Sequence, residues 1–425
     1  MPVRLRTIID LVAAALGPQE GGALRHLRRW RPGQGRPAGA KGRRLVIGRV
    51  FGVVLEGWLE PEGGREPGSR RRWRRWPEGV AGGHHVANHY AFLLDALVMS
   101  VRTAAPRHGL DRDRGHALFA AFCQHFWLAF APQVPPGFAY LALDVGHHQG
   151  RSHLFVAAIR ETADPREDSR LIAILPYSNA VERAVAQASL ARIPGRERIV
   201  AVAIDLADEL ATLSATAWPW AVIVADLRHV VRQILLPLAS ARQAGIALLP
   251  RRMSAATASG QKRDGTKALL ERRHHRLGPA ERDRRDLALA ILGPETRTIY
   301  RLKERILDLY RIRDPALAAE RLNEIFAGLA AFDPAAARLE NAITTIAVVW
   351  RDRVLNHFLH QITTAYVEGA IGRFKARFDA WSVSGVFDQH YVRTLAHEGG
   401  LDAEFVETVA WRTAEDFLTT EEITA

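Results

Sequence analysis

An α/β fold with a mixed sheet, interrupted by a long all-helical block, is what this 425-residue sequence predicts. Three observations carry the prediction. Within residues 137–250 three consecutive apolar runs have period two, and strand-like and helix-like runs then alternate. From 251 to 362 every apolar run has helical spacing. Beyond that block, "TTAYVEGAIGRFKARF" reads as one more helix, with a lone acid, Glu368, among Arg373, Lys375 and Arg377. The length suits about two to three domains. A net charge of +12 points to a polyanionic partner, nucleic acid before an acidic membrane surface. The single cysteine, Cys123, excludes an internal disulfide and a Cys-rich zinc site, and fits a reducing compartment.

Taken in order, residues 1–80 form a basic arm with seventeen Lys and Arg against seven acids and the run "RRRWRRW" ending at Trp76. Interleaved Arg and Trp suit phosphates and bases. The composition, with little periodicity beyond "LVIGRVFGVVLE", favours a disordered or degenerate segment. Residues 84–130 turn helical, with "YAFLLDALVMSVRTAA" and "RDRGHALFAAFCQHFWLAF" separated by a turn at Gly109 and Asp111. A helix-turn-helix presenting Arg112, Arg114 and His116 to DNA is one reading, although Pro106 interrupts its first helix; a packed helical hairpin is the other. The uncharged stretch Ala117–Leu143 is broken by Gln124, His125 and three prolines, so a buried helix followed by a strand is expected, not a membrane span.

From Gly137, "GFAYLALDV" is expected as a strand ending on Asp144, "GHHQGR" as a turn, and "SHLFVAAIR" and "RLIAILP" as two more strands. A helix, the strand "RIVAVAID" ending on Asp205, a helix, the strand "WAVIVAD" ending on Asp226 and a long helix follow. This is the element order of an RNase H-like domain. Residues 137–250 are thus the first part of its core, 251–362 an all-helical insertion, 363–395 the final core helix and its continuation, and 396–425 an acidic tail.

Three apolar strands running into aspartate are the candidate chemistry. A carboxylate at a strand end needs a partner, a metal or water, because burying it alone is expensive. Singly, such aspartates are more often turn residues. Two on adjacent strands would repel each other and favour a divalent cation, and hard oxygen ligands suit Mg²⁺ or Mn²⁺. Glu368 is the candidate third carboxylate. Gly372 and Lys375 share its helix face, and the glycines at 369 and 372 each weaken the helix by about 1 kcal/mol, which an access role would explain. The histidine pairs at 84–85, 147–148 and 274–275 have no cysteine or helical His-x-x-x-His partner and are expected to be solvated.

In these segments the chain resembles the DDE transposases of bacterial insertion sequences, in the ISL-three group. "YLALD" and "VAVAID" resemble the strands bearing the first two acids, Asp144 and Asp205. "ADLRHVV" resembles an Asp-x-x-His motif, giving Asp226 and His229 an auxiliary role. "YRLKERILDLY" resembles the Lys-Glu stretch of the helical insertion, "VVWRDRVLNHF" the Trp-containing segment, "TTAYVEGAIGRFK" the signature with the final acid, Glu368, and "WSVSGVFDQHYVRTL" its continuation. The resemblance spans roughly residues 88–395. Thr364 and Ile371 stand where the family has Asn, Val145 where it usually has Glu, and no Cys-rich zinc ribbon precedes them.

The resemblance implies that Asp144, Asp205 and Glu368 hold two Mg²⁺ or Mn²⁺ ions about 4 Å apart for strand cleavage and transfer. It implies DNA partners, the insertion-sequence terminal repeats and the target, with Arg373, Lys375 and Arg377 on the backbone. A homo-oligomer, no membrane association and a cytoplasmic, nucleoid-associated location are further expectations. Two alternatives remain at this point. One is a decayed or domesticated transposase that only binds DNA, motivated by Thr364 and Ile371. The other is an RNase H-fold nuclease without strand transfer.

Overall fold

A computed structural model describes residues 24–29, 43–50, 53–59, 62–65, 72–75, 80–81, 84–160, 169–248, 265–327, 333–381, 387–399 and 401–424. The chain divides into two compact units, Pro132–Ile371 and the combination of Met1–Ala131 with Gly372–Ala425.

The first of these units is built on a five-stranded sheet. Its strands are β1 (Tyr140–His148), β2 (Arg151–Ile159), β3 (Ser169–Pro176), β4 (Ala201–Ile204) and β5 (Val222–Ala225), in the order β3-β2-β1-β4-β5. The pairs β1/β2 and β2/β3 are antiparallel, whereas β1/β4 and β4/β5 are parallel. This mixed sheet is the RNase H-like arrangement. Leu141 to Leu143, Leu154 to Ile159 and Ala201 to Ile204 are buried in unbroken runs, so both faces are covered. That explains why the strands read as continuous apolar segments. Helices α1 (Ala180–Leu190), α2 (Asp208–Ala217) and α3 (Leu227–Ala247) supply the crossovers and cover.

β1 does not end on Asp144. It runs on to His148, pairing Asp144 with Phe155 and Gly146 with His153. The turn is only Gln149–Gly150, both at positive φ (45° and 74°), the two-residue hairpin geometry that matches strand twist. Antiparallel pairing carries the strand through glycine and histidines that propensity alone would assign to a loop. Asp205 and Asp226 do stand immediately beyond β4 and β5.

The described residues from 265 to 362 contain helices and no strand. Within them Lys303 is fully buried on the helix Pro294–Leu309; its ammonium donates to the carbonyls of Leu270 (2.6 Å) and Arg272 (2.9 Å) and pairs with Glu304 (2.7 Å). The Lys-Glu stretch thus staples the insertion together. None of the described helices is long and apolar enough to cross a membrane.

In the other unit, the expected single helix over 90–105 is two, Val86–Val98 and Val101–Arg107, because Ser100 starts a new one by accepting the Thr103 N–H. Gly109 (φ 67°) makes the turn and Asp111 caps the helix Arg112–Ala129. Arg112 is exposed and Arg114 half-buried on its first turn, and the body buries Leu118, Phe119, Phe122 and Phe126. The acidic C-terminal stretch forms a 22-residue helix, Ala403–Thr424, which buries Ala414 and Leu418 beside Val86. Short strands lie in the basic N-terminal stretch, among them the antiparallel pair Arg43–Val50 and Val53–Leu59 drawn from the apolar run "LVIGRVFGVVLE". The rest of the expected disordered arm falls outside the described residues.

The helix carrying Glu368 spans Ala365–Trp381. Its Ile371, 7% exposed, lies over Gly146 of β1. A Cβ on Gly146 would come within 2.9 Å of Ile371 Cγ2 and 3.1 Å of the Phe155 ring, so only glycine allows this approach. Gly146 follows Asp144 by two on one strand face, and Ile371 follows Glu368 by three on one helix face. Their contact therefore sets the spacing between the two carboxylates. Gly146→Ala is expected to lower stability by about 1–3 kcal/mol in urea denaturation. Adding Ile371→Ala should cost less than the sum of the single changes, by about 1 kcal/mol. Strict additivity would contradict the contact.

Candidate active site

Five side chains from four elements meet near the ends of β4 and β5. Asp144 comes from β1, Asp205 follows β4, Asp226 and His229 begin α3, and Glu368 sits on the first turn of its helix.

Asp226 is the most buried, 2% exposed, and both its oxygens are engaged. Oδ1 accepts the backbone N–H groups of Arg228 (2.8 Å) and His229 (3.2 Å) as the N-cap of α3, and lies 3.2 Å from His229 Nδ1. Oδ2 accepts the N–H of Thr364 at 2.9 Å, a residue 138 positions later. Burial pushes this carboxyl up, but His229 and the Thr364 N–H outweigh it and hold the pKa below the ordinary aspartate value. Asp226 is thus an ionised clamp between α3 and the start of the Glu368 helix.

Asp144 and Asp205 lack such support. Burial pushes the Asp144 carboxyl up to about 6, against the Val145 N–H, with the Asp205 charge raising it, His229 lowering it and Glu368 raising it. Burial likewise raises Asp205, opposed by His229 and the Ala207 N–H. Asp205 Oδ1 is buried and has no hydrogen-bond partner among the described residues. Glu368 is 20% exposed; Oε1 accepts from Thr364 Oγ1 at 3.3 Å and stands 3.9 Å from His229 Nδ1, while Oε2 is bonded to the Arg228 guanidinium. His229 takes up charge readily: the Asp226 hydrogen bond raises its pKa, against burial, and the charges of Asp226, Asp144 and Asp205 add to the rise.

Two ligand sets compete for a cation. Among the described residues, Asp226, His229 and Glu368 offer donor atoms within 4.8 Å of one another. That set is less suited, because both Asp226 oxygens already accept hydrogen bonds and the Asp226 bond favours the proton-bearing form of His229 over the free lone pair a metal needs. Asp144, Asp205 and Glu368 offer hard oxygens, one of them an unpartnered buried atom, in a field where each would gain from added positive charge. By donor chemistry alone the second set suits a hard divalent cation, whereas the first is the one whose donor atoms lie within 4.8 Å of one another.

Of the residues expected on DNA, Arg373 and Arg377 are committed to the Glu398 carboxylate, Arg373 through two bonds of 2.6 Å and Arg377 at 3.3 Å. Lys375 is half-buried and has no ion pair among the described residues. Among the described residues a Cβ on Gly372 would meet nothing within 4 Å, so their packing does not demand this glycine. His147 is exposed and bonded to Ser152 Oγ at 2.9 Å. Sequence reasoning missed Arg228 and the role of Thr364. Thr364 carried a signal, being a small hydroxyl residue immediately before a helix, where it is fully buried as the point of entry.

A model of the transposase family of the DDE type, ISL-three group, matches residues 146–377, more than half of the chain. The chain therefore belongs to that family. The matched region opens two residues after Asp144 and includes Asp205, Asp226, His229 and Glu368. A search of curated proteins returned no match. Membership makes the protein a transposase in the general sense, a nucleic-acid-processing enzyme of a family that binds DNA and uses a divalent metal.

The raised Asp144 pKa has a definite sign. Between the ordinary value of 3.8 and about 6, the folded chain keeps a proton that the unfolded chain releases. Stability of the metal-free protein should therefore fall as pH rises through that window, by an amount on the order of 3 kcal/mol from this group. Urea denaturation of wild type and Asp144→Asn in chelator, across pH, measures it. The stability difference between the two proteins should change through the window; a constant difference contradicts the assignment.

Proposed function

We propose that this transposase cleaves DNA strands at insertion-sequence ends and transfers them to target DNA, with Asp144, Asp205 and Glu368 as the catalytic carboxylates. The observation that carries the reading is that the charges of Asp205 and Glu368 both act on the half-buried Asp144 carboxyl, and that Asp205 Oδ1 has no partner among the described residues. Divalent Mg²⁺ or Mn²⁺, two ions in this reading, would supply Lewis-acid activation of the attacking oxygen and stabilise the leaving 3′-oxygen. The chain's own contribution is positional. β1 and β4 fix two carboxylates on a rigid sheet, and the Thr364–Asp226 clamp with the Ile371–Gly146 contact brings the third to them. His229 sits among the acids, held by Asp226, and their charges favour its protonated form, which would moderate their repulsion. It is not the general base in this account, because its Nδ1 faces carboxylates that favour its protonated form.

The departures at Thr364 and Ile371 have structural roles here. Thr364 supplies the clamp N–H and a hydroxyl to Glu368, and Ile371 packs on β1. They give the decayed, binding-only reading no support. With Arg373 and Arg377 paired to Glu398, the proposed backbone contacts move to Arg297, Arg301 and Arg305. These three are exposed, each one turn (about 6 Å) from the next on the helix Pro294–Leu309, and make no ion pair among the described residues.

The deciding assay incubates the protein with inverted-repeat end DNA and Mn²⁺ or Mg²⁺. Wild type should nick and join, and Glu368→Gln and Asp205→Asn should each lower both rates by roughly a thousandfold. Nicking without joining would establish a nuclease, and a mobility shift without cleavage would overturn the enzymatic reading. Replacing the three arginines by alanine should lower the slope of log affinity against log salt by about 2–3. An unchanged slope would remove them from the DNA surface.

A further inference from the structure

Arg228 is in an unusual position. It is the second residue of a 21-residue helix, α3, where the helix dipole disfavours a cation. Its backbone is fixed, since its N–H donates to Asp226 Oδ1 at 2.8 Å. Its side chain is 75% exposed, yet the guanidinium turns inward onto Oε2 of Glu368. Thr364 Oγ1 and His229 Nδ1 are at Oε1, so Arg228 occupies the other oxygen. Arg232, one turn on, is also exposed and close enough for its charge to lower Asp205. Neither arginine is among the residues that α3 buries.

We infer that Arg228 serves the reaction in two positions: as the counter-cation of Glu368 when no divalent metal is bound, and as a ligand of the DNA phosphate at the cleavage site once metal takes the carboxylate. This rests on the reading of Glu368 as a metal ligand. The first position relieves the repulsion among Asp144, Asp205 and Glu368 that would otherwise strain the metal-free fold. An ion pair this exposed is weak, so a divalent cation displaces it at small loss. The released guanidinium remains rooted beside the carboxylates and carries the planar donor fork suited to phosphate oxygens. Arg232 extends the same positive edge toward Asp205.

The proposal makes two effects run in opposite directions. In calorimetric titration with Mn²⁺ alone, without DNA, Arg228→Ala should bind the ion about two- to fivefold more tightly than wild type, because a competitor is gone. In single-turnover cleavage of end DNA at saturating Mn²⁺, the same variant should be slower by about tenfold or more. Arg228→Lys, which keeps the charge and loses the fork, should restore wild-type Mn²⁺ affinity but recover cleavage only in part. Mn²⁺ affinity in Arg228→Ala equal to or weaker than wild type, or cleavage at the wild-type rate, overturns the proposal. Glu368→Gln distinguishes the layer beneath: if it binds Mn²⁺ as tightly as wild type, the metal role of Glu368 itself is wrong.

Discussion

One hydrogen bond closes the site: the N–H of Thr364 donated to Asp226 Oδ2 across 138 positions of sequence. Asp226 is already the cap of α3, so the bond joins the helix that follows β5 to the helix that carries Glu368. The whole helical insertion lies between them in sequence. A chain that leaves its sheet for more than a hundred residues must return to a defined place, and a buried, ionised acceptor makes a demanding address. Leaving that acceptor unpaired would cost a few kcal/mol, which makes misplacement of the returning helix unfavourable. The Ile371–Gly146 contact, about two turns further along, adds a steric stop. Together they bring Glu368 to the aspartates without asking the carboxylates themselves to do any folding work.

That division of labour explains the electrostatics. One acid, Asp226, is spent on structure and held ionised by donors on both oxygens. Two others, Asp144 and Asp205, are half-buried with fewer donors and are pushed toward protonation. Residues of one type, all at or beyond the same sheet, thus have opposite titration behaviour set by their surroundings. Pairs displaced in this way are characteristic of sites awaiting positive charge. His229 and Arg228 meet part of the demand from within the chain.

Much of this was legible in the sequence for physical reasons. The sheet showed because both its faces are buried, giving apolar runs such as "YLAL" and "VAVAI" that stand out against the amphipathic insertion. Asp205 and Asp226 were visible because each is the first polar residue after such a run. The continuation of β1 past Asp144 was not, since pairing with β2 overrides the local preference of "GHHQG". Long-range ion pairs were equally invisible. Arg373 and Arg377 looked like free cations because Glu398 lies 25 and 21 residues away. Arg228 was hidden in plain view inside the quoted "ADLRHVV", because nothing local says that its partner is Glu368. The substituted Asn positions read as losses in one dimension and as packing and clamping residues in three.

The most direct test of the central claim is where the cation binds. Crystals grown with Mn²⁺ and measured at its absorption edge would place the ion by anomalous difference density. The expected density is bounded by the carboxylates of Asp144, Asp205 and Glu368, with Asp226 still bonded to the Thr364 N–H. Density held by Asp226 and His229, with that bond broken, would contradict it.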